Sequence, residues 1–385
     1  MRIGILTGGG DVPGLNSCIR AVTYRAYEDG HQVVGIRRGW WGLLAHQAGE
    51  EMSDSEHILW LTKQQVRTVD RHGGTFLHTS RTNPAKVRNG EMPEHLRNRF
   101  REQAAAGPVD TTEVILRNIS DLKLDVLVAI GGDDTLSYAA RLKKEGIPII
   151  AIPKTMDNDV NGTDYCIGFS TAVTRSVNFI TDLRTPAGSH ERIAIIELFG
   201  RNCGETALLT GYLASTDRTV ISEVSFDIEK LTDFLVQDFR ANPSHYAILT
   251  ISEGARMNGG GIVQGGKEDA YGHQKLGGIG DIVAAEIERI SGHKTLVQRL
   301  GYLMRSGPPD SVDRLVAYNY GNLAYELIQE KQFGELVAIR SGCYTSVPLE
   351  ISIQGHRQIA IETLYDADVY RPRITSVRGK PMYLY

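Results

Sequence analysis

Short, unbroken apolar runs constrain this chain more than any other feature. RIGILT at 2–7, LDVLVAI at 124–130, IPIIAIP at 147–153, IAIIEL at 193–198 and YAILTIS at 246–252 lack the polar alternation of a half-exposed strand. A strand that is apolar on both faces belongs in a parallel sheet covered by helices. Between the runs lie helical stretches, Pro13 to Gly30 after the first and Thr135 to Lys144 after the second, with a further strand at His31 to Ile36. This alternation predicts an α/β doubly wound architecture.

In such sheets ligands sit outside the carboxyl ends of the strands. Three strand ends carry polar turns: TGGGD at 7–11, GGDDT at 131–135 and PKTMDND at 153–159. Neither GxGxxG nor GxxxxGK[ST] is present, so the dinucleotide and P-loop readings both fail. Asp133 and Asp134 could simply complement a helix N-terminus, for about 0.3–1 kcal/mol. PKTMDND could be an Asx-rich turn stabilising itself. Two chemically loaded turns, one βαβ unit apart, point instead to phosphoryl transfer, which needs positioning, a cation and a base. Lys154 and Thr155 can hold phosphate, Asp157 can take a hydroxyl proton, and Asp133 suits Mg²⁺, which takes one or two carboxylates plus substrate phosphates.

The chain has 385 residues, enough for two domains, and is 41% apolar and 23% charged, enough to bury a sizeable core. The net charge is −4 and no basic stripe stands out, which argues against a nucleic-acid partner. No stretch of 18 apolar residues exists and the N-terminal run is too short for a signal segment, so a cytoplasmic protein is expected. Cys18, Cys166, Cys203 and Cys343 form no CxxC and fit reduced thiols. Residues 86–110 read as a solvated helix plus loop, and the glycine-rich 257–278 as a flexible insertion. No linker marks a domain boundary, so the chain is expected to cross between domains more than once.

The motifs resemble the phosphofructokinase family nearly end to end: GILTGGGDVPGLN at 4–16, GGTFLHTSR at 73–81, GGDDT, PKTMDNDVNGTDYCIGF at 153–169, SHERIAIIELFGR at 189–201, ISEG at 251–254 and RSGPPDSVDR at 305–314. The resemblance implies two Rossmann-like domains with the active site in the cleft between them. Residues 1–167 plus about 303–355 would form the phosphoryl-donor domain, and about 168–302 plus 356–385 the sugar-phosphate domain. It implies that Asp157 deprotonates the sugar 1-hydroxyl and that Thr155 lies against the transferred phosphoryl group. Gly10, Arg81, Gly132, Asp134, Thr135 and Lys154 would line the donor site, with Asp133 serving Mg²⁺. Phe199, Gly200, Arg201, Glu253, Tyr302 and Arg305 would bind the sugar phosphate, and Arg201 would also stabilise transition-state charge. Arg192 matches an arginine that reaches a neighbouring subunit's substrate, which implies a homodimer or homotetramer with shared sites.

Within the family, ATP-users typically have glycine at position 134 and many have glycine at 154; pyrophosphate-users resemble this chain, with aspartate and lysine. A carboxylate at 134 would stand where the α-phosphate of ATP must go. Like unit charges 4 Å apart repel by about 4 kcal/mol at an effective dielectric near 20, roughly a thousandfold in affinity. Pyrophosphate has no third phosphate and escapes the clash. The implied reaction is reversible, Mg²⁺-dependent transfer from pyrophosphate to the 1-hydroxyl of fructose 6-phosphate, in glycolysis or gluconeogenesis. An ATP-dependent phosphofructokinase is the alternative, and a catalytically inactive sugar-phosphate sensor is the rival of another class. The motifs also admit sedoheptulose 7-phosphate.

Three departures qualify the resemblance. Tyr302, in YLMR, stands where bacterial relatives have histidine. Leu296 aligns with a substrate arginine, for which Lys294 or Arg299 could substitute. Arg20 matches one effector-site arginine, but Tyr24 replaces the second. Trp40, near where relatives place an aromatic against adenine, is expected in the core.

Overall fold

The computed structural model describes residues 1–49, 55–261, 264–265 and 275–380. Its first sheet contains β1 (Arg2–Thr7), β2 (Gln32–Ile36), β3 (Ile58–Leu61), β4 (Val126–Gly131), β5 (Ile149–Pro153) and the later strands Glu335–Arg340 and Cys343–Pro348. The order across it is 343–348, 335–340, β5, β4, β1, β2, β3. The five inner strands are parallel, and the two edge strands run antiparallel to their neighbours. The second sheet contains β6 (Ile193–Leu198), β7 (Arg218–Val220), β8 (Ala247–Ser252) and Thr295–Arg299, all parallel, in the order 295–299, β6, β8, β7. Every residue of β4, β6 and β8 is buried, as their unbroken apolar runs require. The chain is therefore α/β with two Rossmann-like parallel sheets.

Strand order locates a crevice. The chain leaves β1 for β2 on one side, while β4 lies on the other side of β1 and leads to β5. At such a switch point the loops diverge and leave a gap beyond the carboxyl ends of the strands. The turns after β1 and β4 flank that gap.

The chain crosses between sheets more than once. After β5, the helix Phe169–Ser189 leads to β6; after Thr295–Arg299, the helix Ser311–Gln329 returns to pack against the helix Leu15–Glu28. Buried Asp313 ties these crossings together, accepting hydrogen bonds from Tyr165 Oη (2.6 Å), Gly168 N (2.8 Å) and Thr171 N (2.7 Å). The tail then passes the turn after β5, where His356 pairs with Val160. It finishes on the second sheet, where Tyr365 Oη donates to Thr219 O (2.7 Å) and Tyr370 O accepts from Thr219 N (2.8 Å).

Some details differ from the sequence expectations. The helix after β4 starts at Asp133 rather than Thr135, so both acids occupy its first turn. Residues 86–110 form short helices at Glu94–Arg97 and Arg101–Ala106, pinned by buried Met92, Leu96 and Phe100. Their four-residue spacing gives the segment an apolar face despite its charge. Trp40 is a core residue, edge-on to Tyr138. All four cysteines are unbonded, and only Cys343 is exposed. The expected insertion at 257–278 falls mostly on 262–274, of which only the short pairing of 264–265 with 275–276 lies within the described residues. Among the described residues, no helix is long and apolar enough to cross a membrane.

Candidate active site

The turns after β1, β4 and β5 are tied to one another. Gly9 has φ of +78°, and its carbonyl accepts from Thr79 Oγ1 at 2.7 Å. Gly10 O accepts from Lys154 Nζ at 2.6 Å, which joins the first turn to the third. Lys154 is 3% exposed. Burial, with Arg305 and Arg81 nearby, pushes its ammonium down to about 8, against the opposing pull of Asp11 and Asp134. Asp134 and Arg81 therefore act, with opposite sign, on the same lysine. Thr135 is buried, and a Cβ on Gly8 or Gly131 would fall within 2.4 Å or 2.2 Å of its side chain. It packs against both glycines and so ties the turns after β1 and β4 together. A Cβ on Gly132 would meet Lys154 O at 3.3 Å, so that turn also approaches its neighbour closely.

PKTMDND owes its shape to Asn158, a non-glycine residue at φ +55°. A left-handed conformation costs about 1 kcal/mol or more unless the surroundings enforce it. Here Asn158 is fully buried: its Oδ1 accepts from Cys166 N (2.7 Å), and its Nδ2 donates to Asp164 O (3.1 Å) and Glu205 Oε2 (2.9 Å). Arg357 completes the clamp, with Nη1 donating to Asn158 O at 3.0 Å and also bonding Glu205. The flanking carboxylates, Asp157 and Asp159, are thereby held in place. Thr155 Oγ1 accepts from Asp157 N at 3.2 Å. Burial, then Asp159 and Glu253, push the Asp157 carboxyl well above the usual carboxylate range, against the Arg201 backbone N–H and guanidinium. Asp157 Oδ1 is buried and accepts no hydrogen bond from the described residues. A carboxylate so raised and left with an open oxygen is suited to general-base work.

Asp133 lies beside a second group. Its Oδ2 is 2.8 Å from His356 Nδ1, while Asp159 Oδ2 is 4.0 Å from the same nitrogen. The ligand atoms of the three residues lie within 4.8 Å of one another. Asp133 Oδ1 is buried without a hydrogen-bond partner among the described residues. An orphaned carboxylate oxygen next to a second carboxylate fits a divalent cation.

The second sheet contributes Phe199, Gly200 and Arg201 beyond β6, and Glu253 beyond β8. Gly200 has φ of +144°, and a Cβ there would meet Cys203 O at 2.9 Å. Burial pushes Glu253 up to about 7; Arg201, Arg305 and Arg81 oppose the shift and Glu197 adds to it. Arg305 is 8% exposed and spans the halves. Its guanidinium lies 5.7 Å from the Phe199 ring and 4.2 Å from the Tyr302 ring, and its Nη1 would be 2.4 Å from a Cβ on Gly10. It lies as close to the turn after β1 as to the residues beyond β6. Tyr302 is 73% exposed.

Arg192 is not brought to this cluster. It precedes β6, whereas Phe199–Arg201 follow it, and a strand of this length separates its ends by roughly 20 Å. Register divides the two candidate substitutes for the missing arginine. Thr295 pairs with Ile193 and Arg299 with Glu197, so Lys294 lies beside Arg192 and Arg299 at the opposite end. Ile193 N donates to Lys294 O (3.1 Å), and Arg192 Nη1 donates to Thr295 O (3.2 Å). Arg299 pairs with Asp281. Arg20 is engaged with Asp70 (3.8 Å), Tyr318 Oη (2.8 Å) and the Tyr24 ring (4.3 Å).

His356, Arg357 and Glu205 belong to the site but escape a reading of motifs. They reach PKTMDND only through tertiary pairing, and GHRQ at 355–358 has no distinctive spacing.

The Phosphofructokinase family pattern matches residues 2–328. The chain is 36% identical over 370 residues to a pyrophosphate–fructose 6-phosphate 1-phosphotransferase of Dictyoglomus thermophilum, covering 95% of this chain and 97% of that one. It is also 36% identical over 362 residues to ATP-dependent 6-phosphofructokinase 3 of Streptomyces coelicolor, covering 93% and 96%. Overall identity therefore does not separate the two donors. A solved pyrophosphate-dependent phosphofructokinase of Marinobacter aquaeolei shares the fold, with a TM-score of 0.75 at 18% identity, covering 100% of this chain and 92% of that one. With its family pattern and its full-length relatives in agreement, this chain belongs to the phosphofructokinase family.

Proposed function

We propose that this phosphotransferase moves a phosphoryl group reversibly from pyrophosphate to the 1-hydroxyl of fructose 6-phosphate, giving fructose 1,6-bisphosphate and phosphate. The observation that carries the donor assignment is buried Lys154 bound to Gly10 O, with Asp134 in the first turn of the neighbouring helix and near enough to act on the lysine's charge. Lys154 offers a point charge to a compact, highly charged donor. Asp134 repels the additional phosphate of a nucleotide. An ATP-using relative of equal identity keeps the ATP-dependent reading in play. Initial rates with each donor separate the two, and substantial ATP turnover would defeat the pyrophosphate assignment.

In this reading Asp157 accepts the proton of the sugar 1-hydroxyl as that oxygen forms its bond to phosphorus and the P–O bond to the leaving phosphate breaks. Thr155 and the Asn158 clamp hold Asp157 in register. Arg201 offsets charge on the transferred group, Glu253 orients the sugar, and Gly10 and Arg81 border the donor. Mg²⁺ held by Asp133, with Asp159 adjacent, would neutralise donor charge when bound. The 6-phosphate would meet Arg305 and a neighbouring subunit's Arg192, with Lys294 beside it as the substitute for the missing arginine. That reading makes the working form a homodimer or homotetramer, in the cytoplasm. We assign residues 1–167 and about 303–355 to the donor unit, and about 168–302 and 356–385 to the sugar unit.

A further inference from the structure

We propose that Asp133, Asp159 and His356 together hold one divalent cation, with His356 Nδ1 as a direct ligand, so that the site binds Mn²⁺ or Co²⁺ more tightly than the Mg²⁺ proposed for turnover. The inference deepens the metal-dependent reading of the donor site and rests on it for the cation's role in turnover. Three separate segments supply the ligands: the first turn of the helix after β4, the turn after β5, and the tail beyond residue 355. The tail is pinned there. His356 pairs with Val160, and Arg357 N donates to Asp159 O at 2.9 Å, so the imidazole sits on a fixed backbone rather than a loose end.

The spacing suits a shared ion. At a metal–ligand distance near 2.1 Å, adjacent octahedral ligands lie about 3.0 Å apart and opposite ones about 4.2 Å apart. His356 Nδ1 is 2.8 Å from Asp133 Oδ2 and 4.0 Å from Asp159 Oδ2, near those two separations. Among the described residues Asp133 Oδ1 has no hydrogen-bond partner, and the Asp159 carboxylate accepts a 3.3 Å bond from Asn202 Nδ2. Two facing, largely enclosed carboxylates repel each other, and a cation between them removes that penalty. A ring nitrogen changes which cation is favoured. Mg²⁺ prefers oxygen ligands, whereas imidazole suits the later first-row metals, whose affinities follow the usual rising order. Three protein ligands leave positions for water or donor oxygens.

The alternative role for His356 is a hydrogen bond that merely orients Asp133. Pulsed electron paramagnetic resonance of Mn²⁺ bound to the full-length wild-type chain, without pyrophosphate or sugar, separates the two. The expected result is spin-echo modulation from a directly coordinated ¹⁴N. It should vanish in His356→Gln, with Mn²⁺ affinity at least about tenfold weaker and Mg²⁺ affinity, read by competition, changed far less. Mn²⁺ bound without nitrogen modulation, or no Mn²⁺ bound at millimolar concentration, would overturn the proposal. The wild-type spectrum needs no variant to fold. If pyrophosphate is not the donor, the rate assay fails while this spectrum is unaffected, so the two readings fail separately.

Discussion

The two halves of the site are built differently. The half proposed for the donor is assembled within one chain: three turns of a single sheet are cross-tied by Lys154 to Gly10 and by Thr135 against Gly8 and Gly131, while the tail brings His356 to Asp133. The sugar half is sparser. Phe199, Gly200, Arg201 and Glu253 border the crevice, but Arg192 and Lys294 lie at the far end of the strands that carry the others. A cross-braced pocket can discriminate between donors through fixed charges. In the proposed reading, a second copy completes the half whose two basic groups lie at the far strand ends. Donor choice should therefore respond to substitutions within one chain, and sugar affinity to substitutions acting across subunits.

The largest expected effect falls where the halves meet. Asp157→Asn should lower kcat by about a thousandfold while leaving sugar-phosphate binding, measured by calorimetry, largely intact. In the wild type, the acid limb of kcat should lie above the ordinary carboxylate range, because burial, Asp159 and Glu253 all raise the Asp157 carboxyl and the base works only when deprotonated. A limb near pH 4, or a mild loss in the variant, would remove Asp157 from the base role.

Next comes the division of labour between subunits. Arg192→Ala should raise KM for the sugar phosphate by roughly 10- to 100-fold, with a smaller effect on kcat. Lys294→Ala should raise it by several-fold and Arg299→Ala hardly at all. Assayed at sugar phosphate well below the raised KM, where Arg192→Ala homodimers turn over little, mixing Arg192→Ala chains with Asp157→Asn chains should restore about a quarter of wild-type activity in a randomly reassorted dimer, since half the dimers are hybrid and each regains one of two sites. No recovery in demonstrably mixed oligomers would mean that each chain completes its own sugar half.

The smallest effect is on stability. Glu253 has its folded-state pKa raised from 4.5 to about 7, so the folded protein holds this proton more tightly than the unfolded chain does. Its contribution is fully present below about pH 4.5 and is lost as pH rises to about 7. Glu253→Gln should therefore stabilise the protein at pH 8 relative to wild type, by no more than roughly 3 kcal/mol, and the gain should fade towards pH 4. Denaturant titrations at the two pH values measure it. An equal effect at both would assign the change to packing rather than ionisation.

The same contrast governs how much could be read before the fold was known. The buried strands were legible because a parallel sheet needs unbroken apolar runs, and β6 and β8 appear nearly residue for residue in IAIIEL and YAILTIS. The polar turns were legible because lysine, threonine and aspartate seldom follow a buried strand without a purpose. His356 and Arg357 were not, because each acts through pairing with a turn far away in sequence. Nor could composition reveal that Thr135 packs under Gly8, or that Arg305 leans on the donor turn, because both depend on how neighbouring strand ends converge. The choice between Lys294 and Arg299 needed strand register.

Donor selection by fixed charge is the central claim. The most direct test compares initial rates with pyrophosphate and with ATP for the wild type, Asp134→Gly, and the double variant with Lys154→Gly. Wild type should turn over with pyrophosphate and show negligible ATP activity. The variants should gain ATP binding and use, towards the roughly thousandfold ceiling set by one repulsive charge pair, as pyrophosphate activity declines. Efficient ATP turnover by the wild type, or well-folded variants that still neither bind nor use ATP, would contradict the account.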